Sequence, residues 1–221
     1  MKTANAELLE RSSFVRAAGS AAMGELLRIS FTHLLPKGSV LFEQGTEAQF
    51  LHLLLSGSIG LQAQGERGDP TLVEIFGAGE VFLAPAVMLN LPYLASATAL
   101  TEVRVLMVPA DAFREVYARS LPLCRATAEL LARHWRLMVD QVVDLKVHDA
   151  ETRVTRFLER RQPKDAAATG PDLPEPRMAI AARLGMTPET LSRTLNSLEK
   201  KGKIARGPAA GALTAGRSKL G

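Results

Sequence analysis

Apolar positions along this chain change period several times. Between residues 7 and 29 they recur at helical spacing, with a break at Gly19-Ser20. Between residues 36 and 79 they fall into short runs (40–42, 50–55, 59–61 and 72–76) separated by Lys37-Gly38, Ser56-Gly57, residues 65–68 and residues 77–79. Eight of the 17 glycines lie in that span, so the runs read as short strands joined by turns, the pattern of an all-β sandwich or barrel. An apolar stretch over residues 81–95 follows, then a second β-rich patch over residues 98–109.

From residue 121 to about residue 148 the pattern becomes helical. Glycine is absent, and Pro122 stands where a first helical turn tolerates it. Leu131, Trp135, Met138, Val142 and Leu145 are spaced 4, 3, 4 and 3, an unbroken a/d seam. Leu130 and Leu137 widen the stripe, as a helix touching both a partner and its own domain requires. Such a helix is about 42 Å long. A core helix within one protomer is the alternative, but the unbroken seam favours a parallel dimer helix. Asp149 then caps a further helix through Val154, Phe157 and Leu158. Four prolines mark residues 162–176 as a loop, with room for a short strand.

The segment 178–203 carries the most specific chemistry. Residues 179–184 form a short helix, Gly185 stands where a tight turn needs positive φ, and Thr187-Pro188 opens a second helix with Thr as N-cap and Pro at the first helical position. Leu191, Leu195 and Leu198 face inward and, with Ile180 and Leu184, fill the core of a helix-turn-helix. Glu189, Ser192, Arg193 and Asn196 lie on the opposite face. Arg193 can donate twice to guanine, Glu189 can accept from cytosine N4, and Ser192 can reach a base or a phosphate. Thr187, Asn196 and Lys200 are candidates for the DNA backbone. A surface helix carrying a Glu189–Arg193 ion pair is the plainer alternative.

Charge decides between them. Residues 1–149 hold 13 Lys and Arg against 16 Asp and Glu, a net of −3, whereas residues 150–221 hold 14 against 7, a net of +7. A basic tail that also carries a reading helix points to double-stranded DNA. With 47% hydrophobic and 23% charged residues the chain is of ordinary globular composition. One cysteine, Cys124, excludes any site that needs several thiolates. No secretory signal or membrane-length apolar run is present, so a soluble cytoplasmic protein without a membrane partner is expected.

GMTPETLSR, residues 185–193, resembles the recognition-helix motif of the CRP/FNR superfamily of bacterial transcription regulators. PKGSVLFEQG (36–45), LSGSIGL (55–61) and FGAGEVF (76–82) resemble successive turns of that family's β-roll, and DLKVHDAETRVTRFL (144–158) resembles its junction between dimer helix and DNA-binding domain. The resemblance implies an α+β chain in three parts: a double-stranded β-helix (jelly roll) sensor over 1–120, a long dimerisation helix over 121–148 and a winged helix-turn-helix over 149–221. It implies a homodimer on DNA, with RNA polymerase a partner if the protein activates. Glu189, Ser192 and Arg193 match the E-x-x-S-R pattern of the FNR-like branch, which reads TTGAT-type half-sites. The tail after Ile204, rich in Gly and Ala, argues against a well-formed last hairpin.

The resemblance also constrains the signal. The cyclic-AMP branch supplies a second Gly-Glu after the Gly-Glu turn and later an Arg-Ser pair to the phosphate; this chain keeps Gly79-Glu80 but continues with Phe82-Leu83-Ala84-Pro85-Ala86, and has Leu91-Pro92 where Arg-Ser is expected. An unneutralised phosphate there would be heavily penalised, so cyclic AMP is not expected, and the single cysteine argues against an iron–sulfur cluster. Glu80, Phe82, Met88, Leu91 and Met138 are the expected effector-pocket residues. Haem sensing of nitric oxide or carbon monoxide would need an axial ligand, with His33, His52 and His134 as candidates, beside Met88 and Cys124. The plainer readings put His33 at the start of a strand and His134 beside the dimer seam. Two other readings stay open: a family regulator with no ligand, and a cupin-like metal enzyme with a helical tail, the latter weakened by the absence of any H-x-H spacing.

Overall fold

The short glycine-bounded runs are strands that pair across long sequence separations. The computed structural model describes Leu9 and residues 12–64, 70–82, 84–161, 175–206 and 213–215. The chain divides into two compact units, Met1–Met138 and Val139–Gly221.

In the first unit, helices α1 (Ser13–Ala18) and α2 (Ser20–Ile29) meet at Gly19, whose φ is +84°. Strands β1 (Phe31–Leu35), β2 (Val40–Phe42), β3 (Phe50–Ser56), β4 (Ser58–Gln64), β5 (Pro70–Gly77) and β6 (Val81–Phe82) precede helix α3 (Ala84–Leu89). Strands β7 (Ser96–Ala99) and β8 (Val103–Pro109) follow, then helices α4 (Ala110–Arg119) and α5 (Leu121–Val147). The strands form two antiparallel four-stranded sheets, ordered β1-β8-β3-β6 and β2-β7-β4-β5. Gly57 turns β3 into β4 at φ +82°, and a Cβ there would lie 2.2 Å from the Glu102 carbonyl oxygen.

Strand β3 explains why its sequence is continuously apolar rather than alternating. Leu51, Leu53 and Leu55 face a core shared with the helices, while Leu54 faces the core between the sheets. Strand β1 lacks a buried face; only Leu35 is buried, so no hydrophobic pattern announced a strand over 31–35. The apolar stretch 81–95 resolves into β6 and α3.

His52 lies 1% exposed among the rings of Phe42, Phe82 and Tyr93, with centroids 5.1, 5.3 and 6.1 Å away. Burial pushes its imidazole from 6.5 down to about 3. The unfolded chain binds a proton below pH 6.5 that the fold refuses until about pH 3, so stability falls as pH drops through that window. Denaturant titrations at pH 7 and pH 5 should differ by about 2 kcal/mol from this residue. His52→Phe should remove that difference; an unchanged difference would assign the loss to other groups.

The second unit contains the end of α5, α6 (Ala150–Arg161), α7 (Arg177–Arg183), α8 (Pro188–Lys200), β9 (Ile204–Arg206) and β10 (Leu213–Ala215). Val154, Phe157 and Leu158 of α6 pack with Ile180, Leu184, Leu191, Leu195, Leu198 and Ile204 as its core. The last hairpin corrects the expectation from composition. Strands β9 and β10 pair antiparallel over three positions, because ladder bonds are made by backbone and tolerate small side chains. Most of the proline-rich loop, residues 162–174, lies outside the described residues, as do residues 7, 8, 10 and 11 of the first helical stretch. The architecture is the α+β arrangement of β-roll, long helix and winged helix-turn-helix. The expected helix 121–148 is one continuous element, α5, and the division between units falls within it.

Candidate functional site

Helix α7 ends in a Schellman turn: the Met186 amide donates to the Ala181 carbonyl at 3.0 Å and the Gly185 amide to Ala182 at 3.0 Å. Gly185 has φ +61°, and a Cβ on it would sit 2.7 Å from Leu145 Cδ2. The left-handed backbone is what favours glycine here; the Leu145 methyl is the end of a flexible side chain and could move aside. Helix α8 starts where expected, with Thr187 Oγ1 accepting from the Thr190 amide at 3.2 Å and Pro188 in the first turn. Leu191, Leu195 and Leu198 are buried, which turns Glu189, Arg193, Asn196 and Lys200 outward; Ser192 is half-buried.

The outward face is charged and locally organised. Its own backbone amide and the Thr187 hydroxyl, with Arg193 adding to them, hold the Glu189 carboxyl below the usual carboxylate range. The Arg193 guanidinium donates to Thr190 Oγ1 at 3.4 Å. Arg193, Thr190, Thr194 and Ser197 share a groove with Asp149, Ala150 and Glu151 at the start of α6. Asp149 caps α6 as expected: its Oδ1 accepts from the Thr152 amide at 2.8 Å, the main cause of its lowered pKa. Glu151 pairs with Lys201 and Lys203, which lower its pKa and tie α6 to the turn before β9. Thr187 is engaged as the cap, while Asn196 and Lys200 are exposed on the reading side.

Sequence reasoning missed the ionic cluster that joins α5 to α6. Asp144, with its side chain 4% exposed, meets the guanidinium groups of Arg156 (Nε at 2.7 Å) and Arg160, and His148 lies 3.9 Å away. The i, i+4 relation of Arg156 and Arg160 puts both on one face of α6, a signal visible in sequence only once Asp144 is known to lie opposite. Asp144→Ala should destabilise the second unit by about 2 kcal/mol, a figure kept below that for a fully buried pair because both arginines are partly solvated. Equal denaturation midpoints for variant and parent would show the cluster to be energetically idle.

Along α5 the seam residues diverge. Among the described residues Trp135 is 72% exposed and Val142 50%, and Val139, Val143 and Val147 are further exposed apolar side chains of the same helix. Met138 is half-buried. Leu131 packs with Leu130 onto the helical core of the first unit, and Leu145 lies against Gly185.

A cleft of about 190 Å³ opens in the first unit between α1, the turn at residues 79–81 and α5. Phe14, Leu130 and Leu137 supply apolar wall, and Glu80, Glu129, Arg133 and His134 supply polar groups. Of the expected effector residues only Glu80 lines it; its Oε2 accepts from the Gly77 amide at 2.5 Å. Phe82 is fully buried in the inter-sheet core, Met88 packs on the helical core, Leu91 is 53% exposed, and Met138 is not part of the lining. Of the histidines, His33 is exposed on β1, His52 is sealed among aromatic rings, and His134 lines the cleft with its ring edge toward Phe76 at 5.8 Å. The Cys124 thiol donates to the Tyr117 carbonyl at 2.9 Å. Among the described residues no group of three or more His, Cys, Asp or Glu could hold a metal ion, and no helix is long and apolar enough to cross a membrane.

Known proteins share these features. Residues 32–120 match the cyclic nucleotide-binding domain family and residues 152–213 the Crp-like helix-turn-helix domain. The chain is 32% identical to a cyclic AMP receptor protein of Thermus thermophilus over 79% of its own length and 80% of the relative's. It is 24% identical to a CRP-like cAMP-activated global transcriptional regulator of Mycobacterium tuberculosis over 90% of each. The solved structure of FixK2 from Bradyrhizobium japonicum shares the fold at a TM-score of 0.77 and 20% identity, over 86% of this chain and 93% of that one. With a β-roll, a long helix and a reading helix in that order, this chain belongs to the CRP/FNR superfamily of DNA-binding transcription regulators.

Proposed function

We propose that this regulator is a homodimer paired through α5 that reads a palindrome of TTGAT-type half-sites about 34 Å apart, one helical turn. The outward face of α8 carries the reading: Arg193, Glu189 and Ser192 are presented near the start of a helix whose other face is buried. Arg193 donates to guanine O6 and N7, Glu189 accepts from cytosine N4, and Ser192 supports them. Asn196 and Lys200 contact phosphates, and Thr187 acts chiefly by fixing the helix start. The stripe of Trp135, Met138 and Val142 is the dimer seam, since Trp135 and Val142 stay exposed among the described residues. RNA polymerase is the further partner if the protein activates.

The effector acts by binding the DNA-competent conformation more tightly than the other. The cleft between α1 and α5 is its site. A cyclic nucleotide phosphate would meet Glu80 and Glu129 there, with Arg133 already paired to Glu129. Haem does not fit: clefts for drug-sized ligands run roughly 300–1,000 Å³, haem is larger than most such ligands, and this cleft holds about 190 Å³. His134 therefore serves as a lining residue.

Fluorescence anisotropy with a TTGAT palindrome and a shuffled duplex tests the reading. At physiological salt the palindrome should bind roughly a thousandfold more tightly, with affinity falling steeply as salt rises. Equal affinities for the two duplexes would overturn the half-site assignment.

A further inference from the structure

The end of α5 joins the rest of the second unit through charge more than through apolar packing. Among the described residues the core around Phe157 and Leu191 takes no side chain from α5. Leu145 reaches only the turn at Gly185 and stays 46% exposed. Asp144 makes the attachment instead, with its two oxygens divided between partners. Oδ1 lies 2.7 Å from Arg156 Nε and 3.9 Å from His148 Nε2, while Oδ2 accepts from the Arg160 guanidinium. Arg156 and Arg160 stand about one turn apart on α6, so the carboxylate is held at two points along that helix. Two charge-assisted contacts fix a direction, which apolar contact alone does not. A buried ionic group is better suited to fixing register than to adding stability.

What lies on either side of this joint gives it a consequence. At about 100° per residue, Asp144 is roughly 200° around α5 from Val142, so the face tied to α6 is turned away from the exposed valine of the seam. Beyond the joint, α6 shares an apolar core with the reading helix α8, and its Glu151 pairs with Lys201 and Lys203 just after α8. We propose, resting on the palindrome reading above, that Asp144 is a positioning residue for half-site spacing. By holding Arg156 and Arg160 it fixes the angle at which α6 leaves α5, and with it the separation of the two reading helices in the dimer. One inserted base pair moves a half-site by about 3.4 Å and turns it by about 35°. A fixed joint rejects such a site; a loose joint accepts it.

Anisotropy on TTGAT palindromes whose centre is shortened or lengthened by one base pair tests this with the full chain. For the parent each change should weaken binding roughly tenfold or more. Asp144→Asn keeps the shape of the side chain but offers one oxygen to two arginines. Its spacing penalty should fall below roughly threefold, while its discrimination at the half-site guanine stays within about twofold of the parent's. The double variant Arg156→Gln, Arg160→Gln alters the other side of the joint, at side chains 38% and 30% exposed, and should relax spacing to the same extent. Any general loss of affinity from its two missing cations cancels in the ratio between duplexes. A loss that is uniform across spacings, with the parent's penalty kept, would give the cluster a purely structural role and overturn the proposal. Failure of the palindrome reading would look different: the parent itself would be indifferent to spacing, and both would fall.

Discussion

Replacing Arg193 by alanine should leave a protein that folds, dimerises and still binds DNA, but no longer distinguishes the guanine of its half-site. The side chain is exposed and outside the core of Leu191, Leu195 and Leu198, so folding has little stake in it. Its hydrogen bond to Thr190 Oγ1 is long, at 3.4 Å, and easily exchanged for a base. A bidentate Arg–guanine contact discriminates by about 1–3 kcal/mol, and a palindrome presents two of them. Lys200→Ala is the matched control: it should weaken all duplexes alike and reduce the salt slope by about 1 per protomer. Competition between duplexes altered only at that guanine reads the effect. If Arg193→Ala retains the parent preference, base reading belongs to other residues of the second unit.

Trp135→Glu should convert the dimer to monomers. Trp135 is 72% exposed in the chain, and a tryptophan closing against a partner helix buries roughly 150 Å², about 4 kcal/mol per protomer. Glutamate removes that burial and places like charges across the seam, so the two effects add. Light scattering should fall from twice the chain mass of 23.8 kDa to that mass itself. DNA affinity should fall with it, since each half-site then binds alone. A variant still at twice the chain mass would place the dimer contact away from this face. Leu131 and Leu145 would be poorer tests, because each already packs on its own chain, against the helical core and Gly185 respectively.

The features legible in sequence were local ones. Ser56-Gly57 marks the β3–β4 turn because only glycine tolerates φ +82° with the Glu102 carbonyl so close. Thr187-Pro188 and Gly185 mark helix start and stop because caps act within a few residues. What escaped depends on elements distant in the chain. Phe82 looked like a pocket residue, but β6 is two residues long and its pairing with His52 and Leu53 carries the ring into the inter-sheet core. The Arg133 side of the cleft exists only because α1 comes to lie beside α5, a contact across 120 residues. The role of Asp144 depends on α6, which brings two arginines to it from 12 and 16 residues further along the chain.

The central claim, that this chain reads a defined palindrome through the exposed face of α8, is tested most directly by selecting duplexes from a fully randomised pool with the purified protein. The account predicts a two-fold symmetric consensus with TTGAT arms about one helical turn apart. It also predicts loss of information at the guanine when the selection is repeated with Arg193→Ala. A pool that emerges without a consensus, or a consensus indifferent to Arg193, would contradict it.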